Sequence, residues 1–233
     1  GYAFAKAFGH SVTPILPSLI SLETEEEWSK ELMGLSLKNV TLNAYNKKKK
    51  LVYSELGEML FTHFGVSGPL VLSASSRIAD DPAGARLTID LKPGLDIDEL
   101  DRRLVRDFQQ NSRKSFQNAL DGLFPRRMIP VMVQLSGIAA DTETNSVTRE
   151  QRHAFAALIK CVPITVKAAM PIDQAIITRG GINVKEIDPS TMESKLVSGL
   201  YFAGEVIDVD AYTGGFNIQI ACSTGVLAGR SII

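Results

Sequence analysis

Two kinds of periodicity alternate along the chain, and their order constrains its fold more than any other feature. Apolar and polar residues alternate at 40–44, at 87–91 and again at 164–168, a pattern typical of half-buried β-strands. Residues 96–160 instead carry apolar side chains at helical spacing. The sequence therefore predicts an α+β protein in which a β-rich unit is interrupted by a small helical bundle.

Local signals indicate where several helices begin. A short polar residue followed three positions later by Glu or Gln forms a capping box at 24–27, at 96–99 and at 148–151. Pro69 fits the first turn of another helix, where its missing N–H group is not needed. We expect helices to start at these four positions.

The C-terminal part combines strand, glycine and helix signals in a different way. Leu200–Ala203 has a short buried-strand pattern ending at Gly204–Glu205, and a helix pattern over 217–230 follows the pair Gly214–Gly215. A glycine pair before a helix leaves N–H groups free at the positive end of the helix dipole, which suits a phosphate or the carbonyl edge of a flavin. A carboxylate at a strand end suits ribose or ribityl hydroxyls. The spacing is equally compatible with a strand–turn–helix that binds no ligand.

Three segments of the chain resemble signatures of one bacterial flavoprotein family. Gly180–Gln219 resembles the C-terminal signature of the NAD(P)/FAD-dependent oxidoreductases, also described as the aminoacetone-oxidase-type FAD-binding family. Gly57–Pro69 and Leu35–Val40 resemble two further signatures of this family. The resemblance extends over essentially the whole chain.

The family resemblance implies a multidomain organisation. Members have a Rossmann-like FAD domain built from the N-terminal part and a short C-terminal strand/helix return, with a β-barrel-like insert and a helical part between them. On this basis residues 1–12 are a remnant of an FAD-domain helix, and 180–233 are the C-terminal return. The β-rich insert comprises 13–94 and 163–179, and the helical subdomain comprises 95–162.

The resemblance also implies where FAD would bind. The strand end at Gly204 would meet its ribityl or pyrophosphate part, the turn before the last helix would present N–H groups to the flavin ring, and the glycine pair at 180 would lie near the isoalloxazine. NAD(P)H is a candidate hydride donor, and the substrate is an unidentified small molecule. The expected cofactor-binding residues are Gly180, Gly181, Gly204, Glu205, Asp208, Thr213, Gly214, Gly215, Phe216, Asn217 and Ile218.

No side chain is an obvious catalytic acid or base. His63 and Tyr212 are the candidates, and catalysis stays unassigned between them. For His63, which lies in an apolar stretch, the alternative is a buried structural histidine with satisfied hydrogen bonds.

The dinucleotide fingerprint of the family, Gly-x-Gly-x-x-Gly after a first strand, does not occur in this sequence. We therefore expect the chain to be a fragment that lacks the N-terminal nucleotide-binding half and retains FAD weakly or not at all. The missing half would be its partner. An apolar surface left open by its absence would favour self-association of the fragment.

A binding module is the alternative to an enzyme fragment. Leu51–Leu56 and the preceding strand form a hairpin whose tip carries Lys47–Lys50. Together with Arg126–Arg127 in the helical block, this tip could contact RNA or a protein. A solvated loop that protects a sheet edge is the simpler interpretation, so nucleic-acid binding is not the expected role.

Several other classes of protein are disfavoured. Lys plus Arg number 25 and Asp plus Glu number 26, a net charge of −1, so no global field attracts nucleic acid or anionic lipid. The histidines are scattered, and the acidic residues at 205, 208 and 210 lack the glycine and distal Glu of a calcium loop, so we expect no metal site. Gly65–Gly68 lacks the final glycine of a nucleophile elbow because Pro69 follows.

The cysteine content and the hydropathy indicate a cytoplasmic protein. Cys161 and Cys222 cannot form a disulfide framework and show no Cys-x-x-Cys spacing, so we expect packed thiols in a reducing compartment. No apolar run approaches the roughly 18 residues of a membrane span, and we expect no membrane partner.

Overall fold

The computed structural model describes residues 1–232, and within them six antiparallel strands close into a barrel in the order β2-β5-β4-β3-β6-β7. A separate antiparallel pair, β1 with β8, lies outside the barrel. The β-barrel-like architecture that the family resemblance implied is therefore confirmed. The strands are β1 (Leu16–Ser18), β2 (Leu22–Thr24), β3 (Ser36–Tyr45), β4 (Leu51–Phe61), β5 (Gly65–Ser67), β6 (Arg86–Asp90), β7 (Val162–Ala169) and β8 (Ile177–Arg179).

The alternation in the sequence places one face of each strand inside the barrel. Leu42 on β3 pairs with Ile89 on β6, while Ala44 pairs with Leu87, which also pairs with Ile164 on β7. All five side chains are completely buried. These residues form adjacent layers of one packed interior, as expected where side chains fill a small barrel.

The helical block contains its helices α4 to α7 within the range 96–160 that the apolar spacing predicted. Its core residue Phe116 is fully buried and packs edge to face against Phe108 and Phe155, with ring centroids 6.0 and 5.1 Å away. This block and the barrel share one continuous apolar core. The helices are α1 (Tyr2–Ala7), α2 (Glu27–Glu31), α3 (Pro69–Arg77), α4 (Ile97–Gln110), α5 (Phe116–Ala119), α6 (Ile129–Ser136), α7 (Arg149–Lys160) and α8 (Phe216–Ser231).

The structure confirms two of the three capping boxes. Both reciprocal hydrogen bonds form at the starts of α4 and α7. The box at 24–27 is wrong, because Thr24 ends β2 and its hydroxyl pairs with the Ser29 hydroxyl at 2.6 Å while Glu26 becomes the N-cap. Pro69 does begin α3. A matching pattern of residue types therefore acts as a capping box only where the backbone is free to start a helix.

A second, smaller core joins the two ends of the chain. The buried residues are Ala5 of α1, Ala228 of α8 and apolar side chains of the segment 182–207. His10 reinforces this contact, because its ring nitrogens lie 3.0 Å from a Glu186 carboxylate oxygen and 2.8 Å from the Ser194 hydroxyl. Hydrogen bonds from Ser11 hold the pKa of the Glu186 carboxyl below its usual range.

The strand predicted at Leu200–Ala203 is wrong. Tyr201 makes only an isolated bridge to Glu193, and a 3₁₀ turn over Gly204–Val206 follows. The parallel pairing of Ile182 with Ile207 is also a single bridge. In the part of the chain that the structure describes, this region is irregular coil between short bridges, and a Rossmann-like return is not confirmed.

No helix within residues 1–232 has both the length and the apolar character needed to cross a membrane. The same residues contain no group of three or more His, Cys, Asp or Glu side chains placed to hold a metal ion.

Candidate active site beside the last helix

A cleft of about 460 Å³ lies where the start of α8 meets the segments that flank β1 and β8. We call it the α8 cleft. Its walls are largely apolar, with Leu19, Ile176 and Ile177 on one side and Ile218, Ile220 and Ala221 of α8 on the other; Val209 also lines it. The polar part of its lining comes from Gly204, Glu205, Tyr212, Thr213, Gly214, Gly215 and Asn217.

Most of the residues expected from the sequence thus lie together. Five others do not line this cleft. Asp208 accepts a hydrogen bond from the Thr13 hydroxyl at 2.9 Å, and Phe216 lines a neighbouring cleft. His63 is exposed in the turn between β4 and β5, and it is not a buried histidine. Gly180 and Gly181 make close backbone contacts instead.

The start of α8 presents unpaired backbone donors. The N-cap Gly215 has a φ of 87° and provides no side-chain cap. The first hydrogen bond at this end runs from the Gln219 N–H to the Gly215 carbonyl at 3.0 Å. Within the described residues, the N–H groups of Phe216, Asn217 and Ile218 have no acceptor. Such groups lie at the positive end of the helix dipole, so they suit an electron-rich ligand.

Asn217 holds the preceding loop against the start of α8. Its side-chain oxygen accepts from the Ala211 N–H at 2.9 Å, and its amide nitrogen donates to the Ala211 carbonyl at 2.8 Å. Both backbone groups of Ala211 are thereby satisfied. This clamp orients Tyr212 and Thr213, which follow directly, toward α3.

Tyr212 connects the α8 cleft to the barrel. Arg77 Nε donates to the Tyr212 hydroxyl oxygen at 2.5 Å, and the Tyr53 ring lies edge-on with its centroid 6.0 Å away. Burial raises the pKa of Tyr53 to about 12. Because the oxygen of Tyr212 accepts from Arg77, the phenol still has its own proton to donate to another group.

Glu205, expected to bind the cofactor, makes a structural contact at the edge of the cleft. Its Oε1 atom accepts from the Thr178 N–H at 2.7 Å and from the Thr178 hydroxyl at 2.8 Å. The carboxylate therefore ties the 3₁₀ turn to β8 at the edge of the cleft. Its other oxygen has no hydrogen-bond partner among residues 1–232.

A second cleft, of about 390 Å³, shares Tyr212 with the first. Sequence reasoning missed it, because its residues come from the end of α3 and the turn after it, from β8, and from the loop before α8 with the first residue of that helix. Nothing in their spacing marks them as neighbours. We call it the arginine cleft. Its lining residues are Ser76, Arg77, Asp80, Arg179, Asp210, Ala211, Tyr212 and Phe216.

The expectation of packed thiols is wrong. Cys161 and Cys222 are both free and exposed. Cys222 lies on α8, where small and apolar residues surround it in the sequence, but this face of the helix has no covering segment within residues 1–232.

One family model covers both the barrel and the helical block. Residues 16–177 match the model described as "HI0933-like protein barrel and H2TH domain". The chain belongs to the HI0933-like family. The matched range includes every strand of the closed barrel and all of α2 to α7.

The relatives of this HI0933-like chain are enzymes by name. It is 28% identical over 234 residues to the 3-dehydro-bile acid delta(4,6)-reductase of Clostridium scindens, covering 99% of this chain and 57% of that protein. It is 31% identical over 234 residues to the ribosomal RNA dihydrouridine synthase of Haemophilus influenzae, covering 100% and 55%. The Escherichia coli enzyme of the same name is 29% identical over 233 residues, covering 100% and 56%. The HI0933-like chain thus spans about half the length of these relatives.

Proposed function

We propose that this chain is the barrel, helical and C-terminal part of a longer FAD-dependent reductase. The reductase would add hydrogen across a carbon–carbon double bond conjugated to a carbonyl group. The relatives' names support this reaction class, because a 3-dehydro (3-oxo) bile acid with delta(4,6) bonds and the uracil ring of uridine both contain such a bond. The chain's share of their length, 55–57%, supports a longer parent.

The observation that carries this proposal is the free N–H groups at the start of α8, beside an apolar cleft. A flavin ring is planar and largely apolar and has an electron-rich carbonyl edge, so these residues fit it. The cleft volume of about 460 Å³ falls within the usual range of roughly 300–1,000 Å³ for ligand pockets. In the described residues no glycine-rich dinucleotide motif is available for the pyrophosphate, which the remainder of the parent would bind.

The residues of this chain would position the ring and supply a proton. Bound flavin supplies hydride transfer, with NAD(P)H as the source of electrons. The N–H groups of α8 stabilise negative charge at the ring's carbonyl edge. The apolar walls from Leu19, Ile176 and Ile218 would contact the ring and would exclude water from it only once the ring is bound. Tyr212 donates its proton to the substrate carbon next to the carbonyl, while Arg77 stabilises the resulting phenolate.

A variant of α8 tests the cofactor site in the full-length protein. Ile218 is 71% exposed and lines the cleft, so Ile218→Glu places a carboxylate against the electron-rich edge of the ring. The oxidised ring carries no net charge, so the loss comes from dehydration of the carboxylate against the bound ring and from repulsion by the ring's carbonyl dipoles, and flavin affinity should fall about tenfold or more. Acidic residues in the first turn stabilise a helix, so this loss should not come from unfolding.

The matched control is Gln219→Glu, which adds the same charge in the same turn at a residue that does not line the cleft. Flavin fluorescence titration of the two apoproteins gives the affinities. A full-length protein without flavin, or equal affinities for both variants, would contradict the proposed site.

RNA is the substrate class that a second observation favours. The predicted hairpin tip forms, and Lys48, Lys49 and Lys50 have no carboxylate partner within the described residues, whereas Lys47 pairs with Asp81 at 2.6 Å. Lys50 directly precedes β4 and is three residues from Tyr53, roughly 10 Å at strand rise, and the Tyr53 ring packs edge-on against Tyr212. A polynucleotide with a base near Tyr212 could therefore place phosphates against this tip.

Replacing Lys48, Lys49 and Lys50 together by Gln should weaken binding of a short uridine-containing RNA by at least tenfold at low salt, and should reduce its salt dependence. Electrophoretic mobility shifts at several salt concentrations measure both. Unchanged affinity and salt dependence would contradict RNA binding at the hairpin tip and would favour a solvated loop.

A further inference from the structure

The arginine cleft adjoins the α8 cleft at Tyr212 and carries two guanidinium groups from distant parts of the chain. Arg77 ends α3 and Arg179 ends β8. Neither residue is part of the cofactor site described above. Two arginines beside the proposed proton donor either stabilise the local fold or bind a ligand.

Both guanidinium groups are oriented by neighbouring groups and retain free donors. Arg77 donates through Nε to the Tyr212 hydroxyl, and its Cζ atom lies 4.8 Å from the centre of that ring. Arg179 donates through Nη1 to the Ser76 carbonyl at 3.2 Å and to Asp80 at 3.4 Å. An arginine has five N–H donors in a fixed planar arrangement. Within residues 1–232, the terminal nitrogens of Arg77 and the Nε and Nη2 atoms of Arg179 have no acceptor.

The carboxylates of the cleft do not neutralise both arginines. One carboxylate oxygen of Asp210 accepts hydrogen bonds from the Ser18 and Ser76 hydroxyls, at 3.2 and 2.9 Å. Asp80 pairs only with Arg179, at 3.4 Å, and its side chain is 73% exposed. Arg77 forms no ion pair in the described part of the chain. Arg77 is exposed, so its terminal nitrogens face solvent and are accessible to a ligand that enters the cleft.

We infer that the arginine cleft binds an oxyanion, a phosphate or a carboxylate, of the molecule that reacts beside Tyr212. Planar guanidinium groups bind both oxyanions through paired hydrogen bonds. Tyr212 and the 59% exposed Phe216 provide aromatic surface for the body to which the oxyanion is attached. The inference rests on the proposed function only for the identity of that molecule, since oxyanion binding itself needs no flavin.

Isothermal titration calorimetry of the full-length protein tests the inference with three probes: uridine 5′-monophosphate, uridine and cholate. We expect one of the two oxyanions to bind at least tenfold more tightly than uridine. Arg77→Gln and Arg179→Gln should each weaken that binding about tenfold, the effect of losing charge-assisted hydrogen bonds. Arg77→Lys and Arg179→Lys should restore only part of it, because lysine keeps the charge without the planar fork.

The control variants separate this site from general electrostatics and from the proton donor. Arg113→Gln removes an exposed arginine elsewhere and should leave binding unchanged. Tyr212→Phe removes the hydroxyl that orients Arg77 but keeps both guanidinium groups and the aromatic ring, so it should weaken binding less than Arg77→Gln does. Preferential binding of the nucleotide assigns a phosphate, and preferential binding of cholate assigns a carboxylate.

Two outcomes would overturn the inference. One is that neither oxyanion binds more tightly than uridine. The other is that both glutamine variants, shown by circular dichroism to be folded, bind the oxyanion as tightly as the unaltered chain. Either result leaves the proposed flavin site intact, because that site is measured separately by flavin affinity.

Discussion

Changing Tyr212 to phenylalanine is expected to slow reduction of a conjugated double bond by the full-length protein by about 10²- to 10⁴-fold, the usual contribution of a positioned proton donor. Tyr212 lines both clefts, and its oxygen already accepts a hydrogen bond from Arg77. Phenylalanine keeps the ring and its edge contact with Tyr53 but removes the donated proton. The effect should therefore fall on the step in which substrate is reduced.

The matched control is Tyr53→Phe. Tyr53 is a buried tyrosine whose ring contacts Tyr212, but it lies outside the two clefts. Stopped-flow absorbance separates electron transfer from NAD(P)H from reoxidation by substrate. Only the second rate should fall in Tyr212→Phe, and neither should fall more than about threefold in Tyr53→Phe. Equal effects of the two substitutions would refute Tyr212 as the proton donor.

Gly180→Ala should destabilise the chain by about 3 kcal/mol or more. A Cβ atom at this position would lie 2.0 Å from the Pro14 carbonyl oxygen, and the φ of 92° is unfavourable for any residue with a side chain. The backbone of β1 and the connector before it would have to move away from β8. Because Leu19, directly after β1, and Ile177 of β8 line the α8 cleft, the variant should also lose any ligand bound there.

Gly199→Ala is the control for the backbone conformation alone. Gly199 has a φ of 78°, and a Cβ there would meet nothing within 4 Å. Its cost should be about 1–2 kcal/mol. Urea denaturation followed by circular dichroism measures both variants. A loss in Gly180→Ala no larger than that in Gly199→Ala would show that the contact with Pro14 relaxes easily.

Local sequence patterns were sufficient for strands β3, β4, β6 and β7 and for the helical block, whereas a barrel was expected only from the family resemblance. The alternation correctly predicted that Leu42, Ala44 and Leu87 lie on buried strand faces, because one face of each strand points into the barrel. The predicted strand end at Leu56 was too early. Gly57 continues β4 instead of turning, since its lack of a side chain lets Leu70 of α3 pack within about 3.0 Å of where a Cβ would lie.

The candidate site was predictable only where its residues are neighbours in sequence. The turn before α8 was found from Gly214 and Gly215, because a glycine pair and a helix start form a local signal. Arg77 and Arg179 carry no such signal, since tertiary packing alone brings α3 and β8 together. The domain boundaries and the family's cofactor contacts remain predictions.

The most direct test of a flavin-dependent reduction is anaerobic titration of the full-length protein. NAD(P)H should bleach the visible absorption of its bound flavin. A uridine-containing RNA or a 3-oxo bile acid with conjugated double bonds should then restore the absorption in proportion to the double bonds reduced. Full-length protein that carries no flavin, or whose reduced flavin is reoxidised by oxygen but by neither substrate class, would contradict the proposed function.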